Sequence, residues 1–134
     1  MTDTQTNPIR VLYVEDEKDV RTAVSEILEV FGYEVQTAEN GQLGVEKALA
    51  WKPDFILMDV RMPVMTGPEA IAALRAYPEM ANIPIYTLTA HTDANTLAEC
   101  EAAGADGSFA KPPSFGYIDT VIKETLKERS AVAS

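Results

Sequence analysis

The sequence predicts an α/β fold: a three-layer, doubly wound sheet of five parallel strands with helices on both faces. Three observations carry this. Short apolar segments of strand length alternate strictly with amphipathic segments of helical period, five times over. The strands at 9–14 and 55–58 are near-continuous apolar runs, as expected where both faces of a sheet are covered. Parallel neighbours need a crossover, and right-handed crossovers predominate.

The first strand, Ile9 to Val14, is rich in β-branched residues. In the helix that follows, Val20, Ala23, Val24, Ile27, Leu28 and Phe31 recur on one predicted buried face, and Gly32 is placed to end it. Tyr33 to Ala38 alternates apolar and polar residues, the pattern of an edge strand. A second helix over 41–51 buries Val45, Ala48 and Leu49 and stops before Pro53. Phe55 to Asp59 forms a central third strand. Thr66, Gly67, Pro68 and Glu69 open the third helix, with proline where an amide would have no helical partner. Ile83 to Ala90 is the fourth strand and Asp93 to Ala103 the fourth helix, closed by Gly104. Ser108 to Lys111 gives a short fifth strand, and Ile118, Val121, Ile122, Thr125 and Leu126 form the buried stripe of the last helix.

With 134 residues, 46% of them apolar, the chain fits one domain over 9–129, with flexible tails at 1–8 and 130–134. No apolar run approaches a bilayer span. The N-terminal MTDTQTNP has neither the basic start nor the apolar core of a signal peptide, so a cytoplasmic protein without membrane contact is expected. A formal charge of -10 repels phosphate backbones and anionic lipids, which argues against direct nucleic-acid binding. The single cysteine, Cys100, has no partner for an internal disulfide and no CxxC motif, which leaves it a packing role.

In open parallel sheets, functional groups gather at the carboxyl ends of the strands. Here those ends carry Glu15 and Asp16, then Asp59, then Thr89, then Lys111 followed by Pro112. Each has a structural reading of its own: a helix cap, a turn residue, a solvated charge. Their joint occurrence at the ends of four strands points instead to one crevice. Crowded carboxylates raise one another's pKa unless a cation offsets them, and Lys111 is one such cation. Hard oxygen ligands favour Mg2+, or Mn2+, and a magnesium site recruits phosphate oxygens. Asp59 is the natural nucleophile of such a crevice, because a carboxylate can attack phosphorus to give an acyl phosphate.

The chain resembles the receiver domain of two-component response regulators from about Ile9 to Arg129. The resemblance rests on VEDE at 14–17, LMDVRMPVMTG at 57–67, LTA at 88–90, ECEAAGADG at 99–107 and AKP at 110–112. It implies a flavodoxin-like strand order of 2-1-3-4-5 and a signalling module rather than an enzyme. It also implies that Asp59 accepts phosphate from a phosphohistidine on a histidine kinase or histidine phosphotransfer protein. Glu15, Asp16, Asp59 and the backbone carbonyl of Arg61 would then hold Mg2+, Thr89 would read the phosphoryl group, Lys111 would pair with it, and the Lys111–Pro112 peptide would be cis. The downstream protein target would dock on the face made by the fourth helix, fifth strand and fifth helix, with the active form a monomer or a phosphorylation-dependent dimer. On that face Pro113, Phe115 and Tyr117 offer apolar contacts or pack the last helix.

Two positions depart from the family pattern. Ser108 stands where the family usually carries an aromatic switch residue three before the lysine, while Phe109 points to the other sheet face as core. Glu15 replaces the commoner aspartate and needs a longer reach to metal. Arg61 and His91, two residues beyond Asp59 and Thr89, flank the path of attacking water, where they would tune phosphate lifetime or stand as bystanders. A phosphatase of the haloacid dehalogenase type would carry a second acid where Arg61 stands. A flavodoxin-like cofactor binder would need a Ser/Thr/Gly-rich loop where EDEKD stands. The remaining alternative is a phosphorylation-independent receiver-like interaction module.

Overall fold

The computed structural model describes residues 7–90 and 92–133. Five strands, β1 (Arg10–Val14), β2 (Glu34–Ala38), β3 (Phe55–Met58), β4 (Ile85–Thr89) and β5 (Gly107–Ala110), form one sheet. All neighbours are parallel, in the order β2-β1-β3-β4-β5. Five helices connect or follow them: α1 (Lys18–Val30), α2 (Gly41–Trp51), α3 (Gly67–Arg75), α4 (Ala94–Ala103) and α5 (Phe115–Ala133). The order reverses between β1 and β3, so the crevice of the sheet opens above these two strands.

Alternation along the strands divides the core in two. Leu12, Val14, Ile56, Met58 and Ile85 point toward α2 and α3, where Val45, Ala48, Ile71 and Leu74 meet them. Val11, Tyr13, Phe55, Leu57, Leu88 and Phe109 point the other way, onto Val24 and Leu28 of α1 and Ile118 and Ile122 of α5. Phe109 is buried and stacks on Tyr86 with ring centroids 5.2 Å apart, on the face opposite Ser108.

Helix ends follow local chemistry. Asn40 accepts from the Leu43 N–H at the start of α2, and Asp93 from the Thr96 N–H at the start of α4. Thr66 and Glu69 make a reciprocal capping box on α3. Gly104, at φ +117°, closes α4. Beneath it, the Arg75 guanidinium donates to the Gly104, Met80 and Ile83 carbonyls and pairs with Asp106 at 3.0 Å.

The described structure departs from three sequence expectations. On α1, Val24 and Leu28 are buried, but Ala23, Ile27 and Phe31 are exposed. α1 packs on β1 and the edge strand β2, so a narrow stripe suffices, and Phe31 falls at the helix C-cap. β4 begins at Ile85 rather than Ile83, because Pro84 has no N–H to give the ladder. α5 stays helical through Ala133, over backbone expected to be a C-terminal tail.

Of the two described non-glycine residues with positive φ, Lys52 and Val64, the β-branched Val64 is the more strained. Val64 has φ +71° and sits at the centre of a tight turn closed by the Met65 N–H donating to the Pro63 carbonyl at 2.7 Å. A β-branched residue is disfavoured there by about 1–2 kcal/mol. Its side chain is 80% exposed, so no packing offsets the strain. Val64→Gly is therefore expected to raise stability by up to about 1 kcal/mol after the extra chain entropy of glycine is subtracted. An unchanged urea midpoint would show that this turn stores no strain.

Candidate functional site

The ladder of the sheet continues one residue past the strands and fixes the backbone of the crevice. The Asp59 N–H donates to Val14 O at 2.9 Å, the Glu15 N–H to Ala38 O at 3.0 Å, and the Lys111 N–H to Thr89 O at 2.9 Å. Side chains from elements far apart in sequence are thus set on rigid backbone. The Lys111–Pro112 peptide bond is cis.

One carboxylate oxygen from each of Glu15, Asp16 and Asp59 lies within 4.8 Å of the others. Glu15 and Asp59 are buried, at 2% and 7% exposure, while Asp16 is open to solvent. The Lys111 ammonium lies 2.8 Å from Glu15 Oε1 and 3.8 Å from Asp59 Oδ1. Asp59 Oδ1 also accepts the Val60 N–H at 2.9 Å. These groups line a cavity of about 210 Å³ with Glu17, Arg61 and Ala90.

Burial and then the negative charge of Glu15 push the Asp59 carboxyl up to about 6, although Lys111 and the Val60 N–H pull the other way. Glu15 moves in the opposite direction. Burial alone would raise it, but hydrogen bonds from Lys111, the Glu17 N–H and Tyr13 together hold it below the ordinary range. Lys111 is therefore placed mainly against Glu15, and Asp59 is the less compensated of the two buried acids.

The crevice brings together Glu15, Asp16, Asp59, Lys111 and Arg61. Thr89 is fully buried at the end of β4, one residue before Ala90 of the cavity wall. His91 lies outside the described residues. Ser108 is not in the crevice: its hydroxyl accepts from Thr87 Oγ1 at 2.8 Å, across the β4–β5 ladder. It borders a second cavity of about 430 Å³ beneath α4, with Leu97 and Cys100.

Two residues that sequence reasoning passed over belong to the site. The Tyr13 hydroxyl donates to Glu15 Oε1 at 2.9 Å, and its position two before Glu15 on one strand was the available signal. The Arg21 guanidinium donates to the Glu15 carbonyl at 2.8 Å and so ties α1 to the end of β1.

Residues 11–123 match the family model described as the response regulator receiver domain. The transcriptional regulatory protein PrrA of Mycobacterium leprae is 33% identical over 132 residues, covering 98% of this chain and 56% of that protein. The chain thus spans little more than half the length of that relative. The two-component response regulator ORR42 of Oryza sativa subsp. japonica is 39% identical over 128 residues, 95% of this chain and 94% of that protein. Among solved structures, the receiver domain of sensor histidine kinase PA1611 of Pseudomonas aeruginosa, with a magnesium ion coordinated in its active-site cleft, superposes with a TM-score of 0.84 at 29% identity. That match covers 90% of this chain and 99% of the other. A family model that spans both ends of the crevice, on a sheet of this topology, makes the chain a member of the response regulator receiver domain family of two-component systems.

Proposed function

We propose that this receiver domain is a phosphoryl-accepting switch in which Asp59 is the acceptor. The observation that carries the reading is the buried, under-compensated Asp59 carboxylate, with Lys111 3.8 Å away and two further acids around one cavity. The donor is a phosphohistidine on a histidine kinase or a histidine phosphotransfer protein. An Asp59 carboxylate oxygen attacks phosphorus, a P–O bond forms, and the donor P–N bond breaks with its electron pair passing to the imidazole.

The donor set fits a hard divalent cation. Glu15, Asp16 and Asp59 offer carboxylate oxygens, Arg61 a backbone carbonyl, and no imidazole or thiolate joins them among the described residues. Mg2+ is the ion of choice, with Mn2+ as a substitute. When bound, it would neutralise the phosphoryl oxygens and the crowded carboxylates. Lys111 turns from Glu15 toward the phosphoryl group, and the Thr89 hydroxyl approaches from the end of β4.

The module signals rather than catalyses turnover of a separate substrate. Phosphorylation biases an existing equilibrium of the α4–β5–α5 face, where a downstream protein docks. With Ser108 bonded to Thr87 instead of an aromatic at this position, the shift runs through the loop after Thr89 and α4 without an aromatic rotation. No described helix is long and apolar enough to cross a membrane. On this reading the module works in the cytoplasm, as a monomer or a phosphorylation-dependent dimer.

Incubation with acetyl phosphate and Mg2+ should add one phosphoryl group by intact mass. Asp59→Asn or a chelator should abolish the gain. No adduct, together with no beryllofluoride binding to the folded protein, would favour a phosphorylation-independent interaction module.

A further inference from the structure

Glu15 is a buried acid served by three donors from three directions. Lys111 Nζ and the Tyr13 hydroxyl both reach Oε1, at 2.8 and 2.9 Å, and the Glu17 N–H reaches Oε2 at 3.1 Å. An ionised carboxylate has about four acceptor sites. Three are filled, which leaves capacity for one more partner, and a metal ligand must keep that capacity. A glutamate also has one more side-chain torsion than an aspartate, so its carboxylate needs something to select a single position.

The donors differ in what they can do next. The Glu17 N–H is backbone. The Lys111 ammonium also lies 3.8 Å from Asp59, and on the proposed function it turns to a phosphoryl group there. Tyr13 is neither. Its ring is completely buried among the residues that pack α1 and α5 on the sheet, and it rises from the same face of β1 two residues earlier.

We propose that Tyr13 is a positioning residue for Glu15: its buried hydroxyl holds that carboxylate in the crevice for the metal, and keeps it there when Lys111 moves to the phosphoryl group. This rests on the proposed metal-dependent function and adds to it a residue outside the metal-binding set. Partners of metal ligands typically change metal affinity 10- to 100-fold when removed.

The test is calorimetric titration with Mg2+ of the native protein, Tyr13→Phe, Glu15→Asp and the double variant, each checked by thermal melting in chelator. Phenylalanine keeps the ring and removes one oxygen. Tyr13→Phe should fold and bind Mg2+ about tenfold or more weakly, with a larger deficit when beryllofluoride is present. In the Glu15→Asp background, whose carboxylate stands one methylene further from the phenol, the same change should have no effect. Equal Mg2+ affinity in a folded Tyr13→Phe protein would overturn the assignment, as would a loss of the same size in both backgrounds. Loss of the cooperative melt would make the hydroxyl a requirement of the fold and overturn it equally. A native protein that ignores Mg2+ would instead remove the metal reading itself, and this inference with it.

Discussion

Asparagine in place of Asp59 is expected to stabilise the metal-free protein at pH 7 by about 2–3 kcal/mol while abolishing phosphoryl acceptance. The carboxyl stands at about 6 in the folded chain against an ordinary 3.8, and each unit is worth about 1.4 kcal/mol. A group whose pKa rises on folding contributes stability that is complete below its unfolded value and lost as pH climbs through its folded one. The native protein should therefore lose ground to the variant as pH rises from 4 through 6. Asparagine keeps an oxygen for the Val60 N–H, so the bond at 2.9 Å is not sacrificed. Urea denaturation in chelator at pH 4.5 and 7.5 measures the two gaps. A native protein as stable as the variant at pH 7.5 would show that Asp59 carries no charge strain. Saturating Mg2+ should narrow the gap, because an ion bound only to the folded native chain stabilises it by mass action.

That charge strain ties structure to function. A carboxylate at 7% exposure beside a second buried acid is costly, and the cost would fall if a divalent cation bound the crevice. Lys111 relieves it only in part, because Glu15 holds the ammonium 1.0 Å closer, at 2.8 against 3.8 Å. The arrangement leaves Asp59 poised rather than neutralised.

Much of this was legible in the sequence, for reasons that differ by element. The succession of strands and helices along the chain followed from periodicity, because the two faces of a parallel sheet impose it on every segment, whereas the order of strands in the sheet came from the family resemblance. Placing Glu15, Asp59 and Lys111 at one edge followed from strand-end counting alone. What periodicity could not reveal was which acid the lysine would choose, since Glu15 and Lys111 meet across 96 positions of chain. Nor did it show that Ala23, Ile27 and Phe31 stay exposed, because helical spacing marks an apolar arc but not the width of the surface that meets it. Tyr13 is one residue of the apolar run of the first strand and lies in the core; its hydroxyl becomes informative only once Glu15 is seen on the same face.

Alanine at Gly67 is expected to destabilise the fold by about 2–3 kcal/mol and to slow phosphoryl acceptance by one to two orders of magnitude. A Cβ there would lie 2.5 Å from the Asp59 carbonyl oxygen and 2.9 Å from Val60 Cα. Both obstacles are backbone, so no side chain can turn away, and overpacking of this kind typically costs about 1–3 kcal/mol. The Gly67 N–H also donates to Val60 O at 2.8 Å, so relief requires moving the start of α3 away from the acceptor loop. Displacing a reacting group by about 1 Å can cost as much as 100-fold in rate. Gly116 supplies the contrast: a Cβ at that position meets nothing within 4 Å, so Gly116→Ala should be neutral or stabilising by up to about 1 kcal/mol. Urea midpoints and the time course of phosphorylation by acetyl phosphate would be measured for both variants. Should Gly67→Ala match Gly116→Ala in both, the close approach of α3 to Asp59 would have no part in positioning the acceptor. A loss of rate in Gly67→Ala at full occupancy of folded protein would instead locate the effect in the Asp59 backbone, where the geometry puts it.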